Sequence, residues 1–469
     1  MGQGVQATEA IGAQDHAAEP GHHPPARRRP PGRKPGPAPD YEAYGRQLFA
    51  LIRHCFPELN RWLDALPDPR VQDLCVYLGR HLYWQPILMF LLRDGSRNAF
   101  DADRNTGQLP ANLLRLCQQE WDEARLGQRR TVTCSENVKG HLARVPVAEV
   151  GQLMLLMVRR LMQMRMLDKA RLFDRWWLIV IDGTLQDRGR KTPKTQARYR
   201  YVVEAKLVGP QGTMFALMTE FMDVRDPVRD KEDCELKAFL RLAERLHAQF
   251  PRLPICLVLD GLYPVEALFD RCAAYRWKFI ATLREGRQST AWDEAVQTMM
   301  MSPHLRASAY RQGEDGTVAQ TLRWTHQVPF GKSAFDVLFC GEIGPTAATL
   351  WVWATNFALT PRTVIAIANR GGRSRQGIEN VFNVEKNGGF GLEHAFCADN
   401  TAAKNYHLLM QVAHTLEQLL VNGLFRRLTQ ACRKVTDGKL TELLRTSLLT
   451  VRIDERLPTF GQIRFRSSA

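Results

Sequence analysis

No stretch of this chain is long and apolar enough to span a membrane. The longest uninterrupted run, "WWLIVI" at 176–181, has the length of a buried strand, against the roughly 18 residues a span needs. A membrane partner is therefore not expected. CxxC pairs are also missing. Ten cysteines lie singly along the chain, a spacing that argues against a zinc site and reads as reduced thiols of a cytosolic protein. The opening residues, "MGQGVQATEAIGAQDH", have no basic stretch followed by an apolar one, so a secretory leader is not expected. Internal repeats are absent. Acidic charge is scarce: 49 Asp and Glu stand against 64 Lys and Arg, a formal charge of +15. Such a surplus favours a polyanionic partner, nucleic acid before anionic membrane.

With 45% hydrophobic and 24% charged residues, the composition is that of an ordinary folded protein, and the length implies two or three domains. Residues 1–40 are rich in Gly, Pro, Ala and His and read as a disordered basic arm, with five cations concentrated in "RRRPPGRKPGPAP" at 27–39; such an arm can lie along DNA or simply be solvated. Residues 41–170 carry apolar positions at helical spacing and suit a DNA-binding helical domain, or a helical scaffold with no DNA contact, and no specific helix-turn-helix stands out. The Met-rich stripe at 154–166 reads as packing.

The pattern changes near 176. "WWLIVIDGT" is a strand buried on both faces that ends in Asp182. A loop follows with Arg188, Arg190, Lys191, Lys194, Arg198 and Arg200. "YRYVVEAKLV" and "TMFALMTEF" flank "GPQG" as a hairpin. A helix over 231–250 leads to a second buried strand, "ICLVLDG", ending in Asp260. A helix at "ALFDRCAAYR" and a strand at "WKFIATL" complete residues 171–285. Residues 286–357 read as a β-rich insertion, 358–430 as the remainder of the interrupted domain, and 431–469 as a polar tail with some helical pattern. The fold class expected is α/β: a mixed sheet flanked by helices, interrupted by the insertion and preceded by a helical domain.

Two acids at the ends of hydrophobic strands are costly unless paired. If the strands are neighbours the carboxylates converge, and a divalent cation relieves their repulsion. Oxygen-only ligands suit Mg²⁺ or Mn²⁺. A third ligand is available in "RSRQGIENVFNVEK" at 373–386, where helical steps of four and seven put Arg375, Glu379 and Lys386 on one stripe. Glu379 then faces the metal, while Arg375 and Lys386 hold phosphates of the strand being cut. Such contacts position the backbone without reading sequence, and Arg373, Arg188, Arg190 and Lys191 are further candidates for them. Two ions can stabilise the attacking and leaving oxygens of an in-line displacement at phosphorus. Taken singly, each signal has a blander reading: a DG pair is often only a turn, and Arg and Glu four apart are often a solvated salt bridge.

Together these residues resemble the DDE-class transposases of bacterial insertion sequences, in the branch marked by Y-(2)-R-(3)-E-(6)-K. That register falls on Gly372, Arg375, Glu379 and Lys386, so three of four positions match. "IDGT", "LVLDG" and "IENVFNVEKNGGFGLEHAF" carry the likeness over roughly residues 175–425. The motif Tyr is replaced by Gly372, and the Trp often found after the Arg by Gln376. The resemblance implies an RNase H-like catalytic domain with a β-rich insertion before the third acid. It also implies metal-dependent cleavage at transposon ends and transfer of the freed 3′-hydroxyl to target DNA. By the same resemblance Asp182 bridges two Mg²⁺ or Mn²⁺ ions, Asp260 and Glu379 bind one each, and a homodimer bridges double-stranded DNA ends in the bacterial cytoplasm; His394 reads as structural rather than catalytic.

Three rivals remain open. A haloacid-dehalogenase-type phosphatase needs an Asp nucleophile two residues before Asp182, where Val180 stands. A metal nuclease of the same fold could cut without strand transfer. A DNA-binding descendant of a transposase could use the arm and helical domain without chemistry.

Overall fold

In the computed structural model the described residues are 40–188, 199–224, 231–313, 315–394, 396–425 and 436–453. Eight helices occupy the first part: α1 (Tyr41–Cys55), α2 (Leu59–Asp64), α3 (Gly79–Leu91), α4 (Arg97–Asp103), α5 (Leu109–Leu116), α6 (Glu123–Leu126), α7 (Ser135–Leu142) and α8 (Val147–Gln163). Asp40 caps α1 by accepting from the Ala43 amide, and α8 buries the Met and Leu stripe at Leu153, Met154, Met157 and Leu161, so that stripe is core.

Among the described residues nine strands form one sheet, in the order β3-β2-β1-β4-β5-β9-β8-β7-β6. The strands are β1 (Trp177–Arg188), β2 (Tyr199–Val208), β3 (Met214–Val224), β4 (Ile255–Leu259), β5 (Lys278–Thr282), β6 (Arg306–Gln312), β7 (Thr317–Phe330), β8 (Ser333–Ile343) and β9 (Ala348–Thr355). β1 runs parallel to β4, and β4 to β5, while every other neighbouring pair is antiparallel. The crossovers between parallel strands are made by α9 (Lys231–Gln249) and α10 (Glu266–Tyr275), as parallel pairing requires. The hairpin at "GPQG" turns with Gln211 in the left-handed region, at φ 60°.

Residues 286–357 differ from the sequence expectation in two ways. They open with a helix, α11 (Ser289–Met301), and their strands prolong the main sheet, because β9 pairs with β5. After them α12 (Val364–Ala366) continues through a π turn (Ile367–Gly371) and a 3₁₀ turn (Gly372–Ser374) into α13 (Arg375–Asn387). Next come α14 (Asn400–Leu419), N-capped by Asp399, and α15 (Asp437–Thr450). The last lies in the segment read as a polar tail. It buries Leu440, Leu444 and Leu448 and packs on α1.

The two faces of β1 enter different cores. Trp177, Ile179 and Ile181 join the large cluster shared with the helical layer, whereas Leu178 and Val180 join a smaller one with Cys256, Val258, Ile378 and Phe382. α14 lies among α3, α7, α8 and β3 and ties the helical layer to the sheet. Asp40–Ala469 group as one compact unit, and the basic arm at 1–39 lies outside the described residues. No single helix among the described residues is long and apolar enough to cross a membrane. The eight cysteines whose side chains are described are free thiols.

Two buried histidines in the helical layer should make stability sensitive to acid. Burial pushes His81 down to about 3 and His141 to about 4. Neither ring nitrogen of His81 has a hydrogen-bond partner among the described residues. A depressed histidine contributes stability in full above its unfolded value near 6.5 and loses it as pH falls toward the folded value. Between about pH 6 and 4 each group should cost roughly 1.4 kcal/mol per pH unit. His81→Leu should remove one proton from the pH dependence of unfolding in that window, as measured by melting curves; an unaltered slope would assign the acid sensitivity to other groups.

Candidate active site

The register of the parallel strands brings the first two acids together. Val180 lies opposite Val258, and side chains repeat every second residue on one face. Two residues further on, Asp182 and Asp260 therefore emerge side by side. Both carboxylates are locally anchored: Asp182 Oδ1 accepts from the Gly183 amide at 3.0 Å, and Asp260 Oδ1 from the Leu262 amide at 2.8 Å. α13 packs on the same face through Ile378, Val381 and Phe382, which lie three and one residues apart and so share one side of a helix. That packing turns Arg375, Glu379 and Lys386 toward the acids, and all five residues line one cleft of about 630 Å³.

The cleft also holds an acid that the sequence reading did not single out. Glu235, on α9, is almost fully buried, and its two oxygens accept from the hydroxyls of Tyr201 and Tyr263, both at 2.8 Å. Glycine at 183 is needed to admit this group: a Cβ there would lie 2.6 Å from the Tyr201 hydroxyl and 2.8 Å from Glu235 Cδ. Burial, together with the charges of Asp260 and Glu235, pushes the Asp182 carboxyl up to about 7 against the opposing pull of Arg375. The phenols of Tyr201 and Tyr263 are raised as well, by burial first and by Glu235 second; both stay protonated and can keep donating.

Arg375 stands among the acids. One of its terminal nitrogens is 3.1 Å from Asp182 Oδ2 and 4.0 Å from Asp260 Oδ2, and the other pairs with Glu379. Burial opposes its charge, but Asp182, Glu379 and Asp260 outweigh burial and hold it firmly protonated. The helical stripe suggested a phosphate-facing role for Arg375; in this structure, which holds no DNA, the guanidinium faces carboxylates. The carboxylates share the cleft without closing into a ligand cage, and among the described residues no three Asp, Glu, His or Cys groups are close enough to hold one ion. The donor chemistry nevertheless fits a hard divalent cation. Every donor is oxygen, and a cation among them would offset the burial and neighbouring carboxylate charge that raise Asp182.

The remaining cations separate. Lys386 lines the cleft but pairs with Glu393 at 3.0 Å. Arg284, 3.6 Å from Asp260 and mostly exposed, lines it with Arg287; sequence reading named neither. Arg373 turns away. It pairs with buried Glu342 and lies over the Trp351 ring at 4.9 Å, in the adjoining cleft with Arg311. Arg200 binds the start of α14 through Asn400 and the Cys397 carbonyl. Arg188 closes β1 with its side chain outside the described residues, and Arg190 and Lys191 lie outside them altogether. His394 is exposed and does not line the cleft.

Two sequence details gain a physical reason. At Gly372 a Cβ would lie 2.3 Å from Trp353 Cε2, so the indole of β9 fills the space that any side chain at that position would need. Val180 is fully buried in the sheet and offers no nucleophile. No protein-family model matches the chain, and the search of curated proteins found no match. The site therefore rests on its own geometry: acids from two parallel strands and one helix, a fourth acid behind them, and cations at the rim.

Proposed function

We propose that the chain is a DDE-class transposase whose RNase H-like catalytic domain cuts DNA with divalent metal ions at Asp182, Asp260 and Glu379. The observation that carries this reading is the convergence of those three residues, far apart in sequence, on one cleft. The strand order supports it. The first five strands stand as 3-2-1-4-5 with only β2 antiparallel to the neighbours on both of its sides, which is the order of an RNase H-like sheet. The basic surplus of +15 supports a DNA partner.

Bound by these acids, Mg²⁺ or Mn²⁺ would activate the attacking oxygen and stabilise the leaving one. The chain's own residues then do the following. Asp182, pushed up to about 7 and so about half protonated at neutrality, would give up its remaining proton on holding a cation. Glu235, held by two phenols, adds to the carboxylate charge that raises Asp182, which favours a cation beside it. Arg284, Arg287 and Lys386 offer charge at the rim to backbone phosphates, which fixes the position of the strand without reading its sequence.

Incubating the full chain with Mg²⁺ and the DNA flanking its own gene, beside Glu379→Gln, tests the reading. Nicks at the gene's borders that vanish in the variant are expected, and joined products would show strand transfer. Cleavage without joining would leave a nuclease; binding without cleavage would leave a DNA-binding descendant. A separate prediction concerns Lys386→Ala. The slope of log affinity against log salt should fall by about one unit if this lysine contacts a phosphate, and an unaltered slope would mean that Glu393 is its only partner.

A further inference from the structure

Among the described residues Arg375 is the side chain that comes within 4.0 Å of all three acids, and it reaches them from the first turn of the helix that carries Glu379. Its planar fork suits several carboxylates at once. The fit is incomplete, however: the buried Nε has no hydrogen-bond partner among the described residues. The side chain is about 15% exposed and lines the open cleft, so it has a route outward. A divalent ion placed among the same carboxylates would lie within a few ångströms of the guanidinium, and like charges at that range repel strongly. A backbone phosphate at the rim would offer the guanidinium two oxygens in a matching geometry.

We infer that Arg375 is the resident counter-cation of the acid cluster, that a divalent ion enters as the guanidinium withdraws, and that a DNA phosphate is what draws it out. The inference rests on the metal-site reading above. It makes Arg375 a positioning residue for the metals and couples the two ligands: DNA should tighten metal binding, and metal should tighten DNA binding by the same factor. Without DNA the acids stay neutralised by the protein itself, which keeps the site from loading away from its substrate.

The test is a Mn²⁺ titration of the full chain, followed by the paramagnetic resonance of the free ion, with and without a short DNA duplex of arbitrary sequence. For the wild-type chain the duplex should tighten Mn²⁺ binding by about tenfold, within the usual range of coupling between sites. Arg375→Gln should bind Mn²⁺ about tenfold more tightly than wild type without DNA, and the duplex should then change its affinity by less than about twofold. Arg375→Lys keeps the charge but loses the fork and should fall between them. If Arg375→Gln does not fold, as judged by its melting curve, the wild-type coupling and Arg375→Lys still decide the matter. Equal Mn²⁺ affinity in wild type and Arg375→Gln, with weaker binding in Glu379→Gln, overturns the counter-cation while the acid site stands. Unchanged affinity in Asp182→Asn and Glu379→Gln as well would place the ions elsewhere and remove both.

Discussion

Asp182→Asn should abolish metal-dependent cleavage and at the same time raise the melting temperature. Metal ligation supplies several kcal/mol of charge stabilisation in the transition state, and each 1.36 kcal/mol is tenfold in rate. A loss of about a thousandfold or more is therefore expected. The gain in stability follows from the raised carboxyl. Its ordinary value is 3.8, and in the fold it is pushed up to about 7, by burial above all. A group raised in this way contributes stability that is present below about pH 4 and is lost as pH rises through 7. Above neutrality the ionised carboxylate opposes folding, and the neutral amide avoids that cost. Arg375 loses one partner in the exchange but keeps Asp260 and Glu379, so a net gain on the order of 2 kcal/mol is expected at pH 7.5. Melting curves at pH 7.5 and pH 4 in the absence of metal check the sign: the variant should be the more stable at the higher pH and lose its advantage at the lower. A lower melting temperature at pH 7.5 would mean that Asp182 is a structural ion-pair partner of Arg375.

The second large effect is expected outside the cleft. Lys206 is fully buried, with its ammonium 2.6 Å from Glu204, 2.8 Å from Glu385 and 2.8 Å from the Gln411 oxygen. His407 meets Glu204 at 2.6 Å, and His414 meets Glu385 at 2.8 Å. Burial opposes the lysine's charge, and Glu204 and Glu385 outweigh it. Burial likewise opposes ionisation of Glu385, but Lys206 and His414 hold it below the usual carboxylate range. The network joins β2, α13 and α14. Glu204 is the register partner of Asp182, and Glu385 lies on the helix of Glu379. Lys206→Met leaves two buried carboxylates facing each other and should cost about 3–5 kcal/mol. The double variant Lys206→Met/Glu385→Gln should recover part of that loss, because the two sites are coupled. Thermal melting of the single and double variants decides it, and a loss below about 1 kcal/mol for Lys206→Met would mean that water reaches the network.

Much of this architecture can be read from the chain. "WWLIVID" and "ICLVLD" are apolar runs ending in an acid, and two such strands in parallel register put the acids together. The stripe of Arg375, Glu379 and Lys386 follows from helical spacing alone. What spacing leaves open is the direction in which a cation points. Arg and Glu four apart look the same whether the pair is solvated or, as here, beside Asp182 and Asp260. Glu235 was hidden for a related reason: in "KEDCELK" it sits in a charged stretch of the kind that normally faces solvent, and only Tyr201 and Tyr263, from β2 and the loop after β4, reveal its environment. The reading of 286–357 as a β-rich insertion left open the helix "STAWDEAVQTMMM" and the continuation of the main sheet through β6–β9. Sheet membership is decided by a long-range pairing, β5 with β9, that leaves no local mark. Gly372 departs from the motif Tyr, and the Trp353 indole that fills its space leaves no mark in the local sequence.

The claim on which the rest depends is that Asp182, Asp260 and Glu379 jointly hold the catalytic ions. Anomalous diffraction from crystals of the protein grown with Mn²⁺ and a DNA duplex tests it most directly. Two manganese peaks among those three carboxylates are expected, with the Arg375 guanidinium withdrawn toward a phosphate. Manganese bound elsewhere, with Arg375 still bridging the acids, would contradict it.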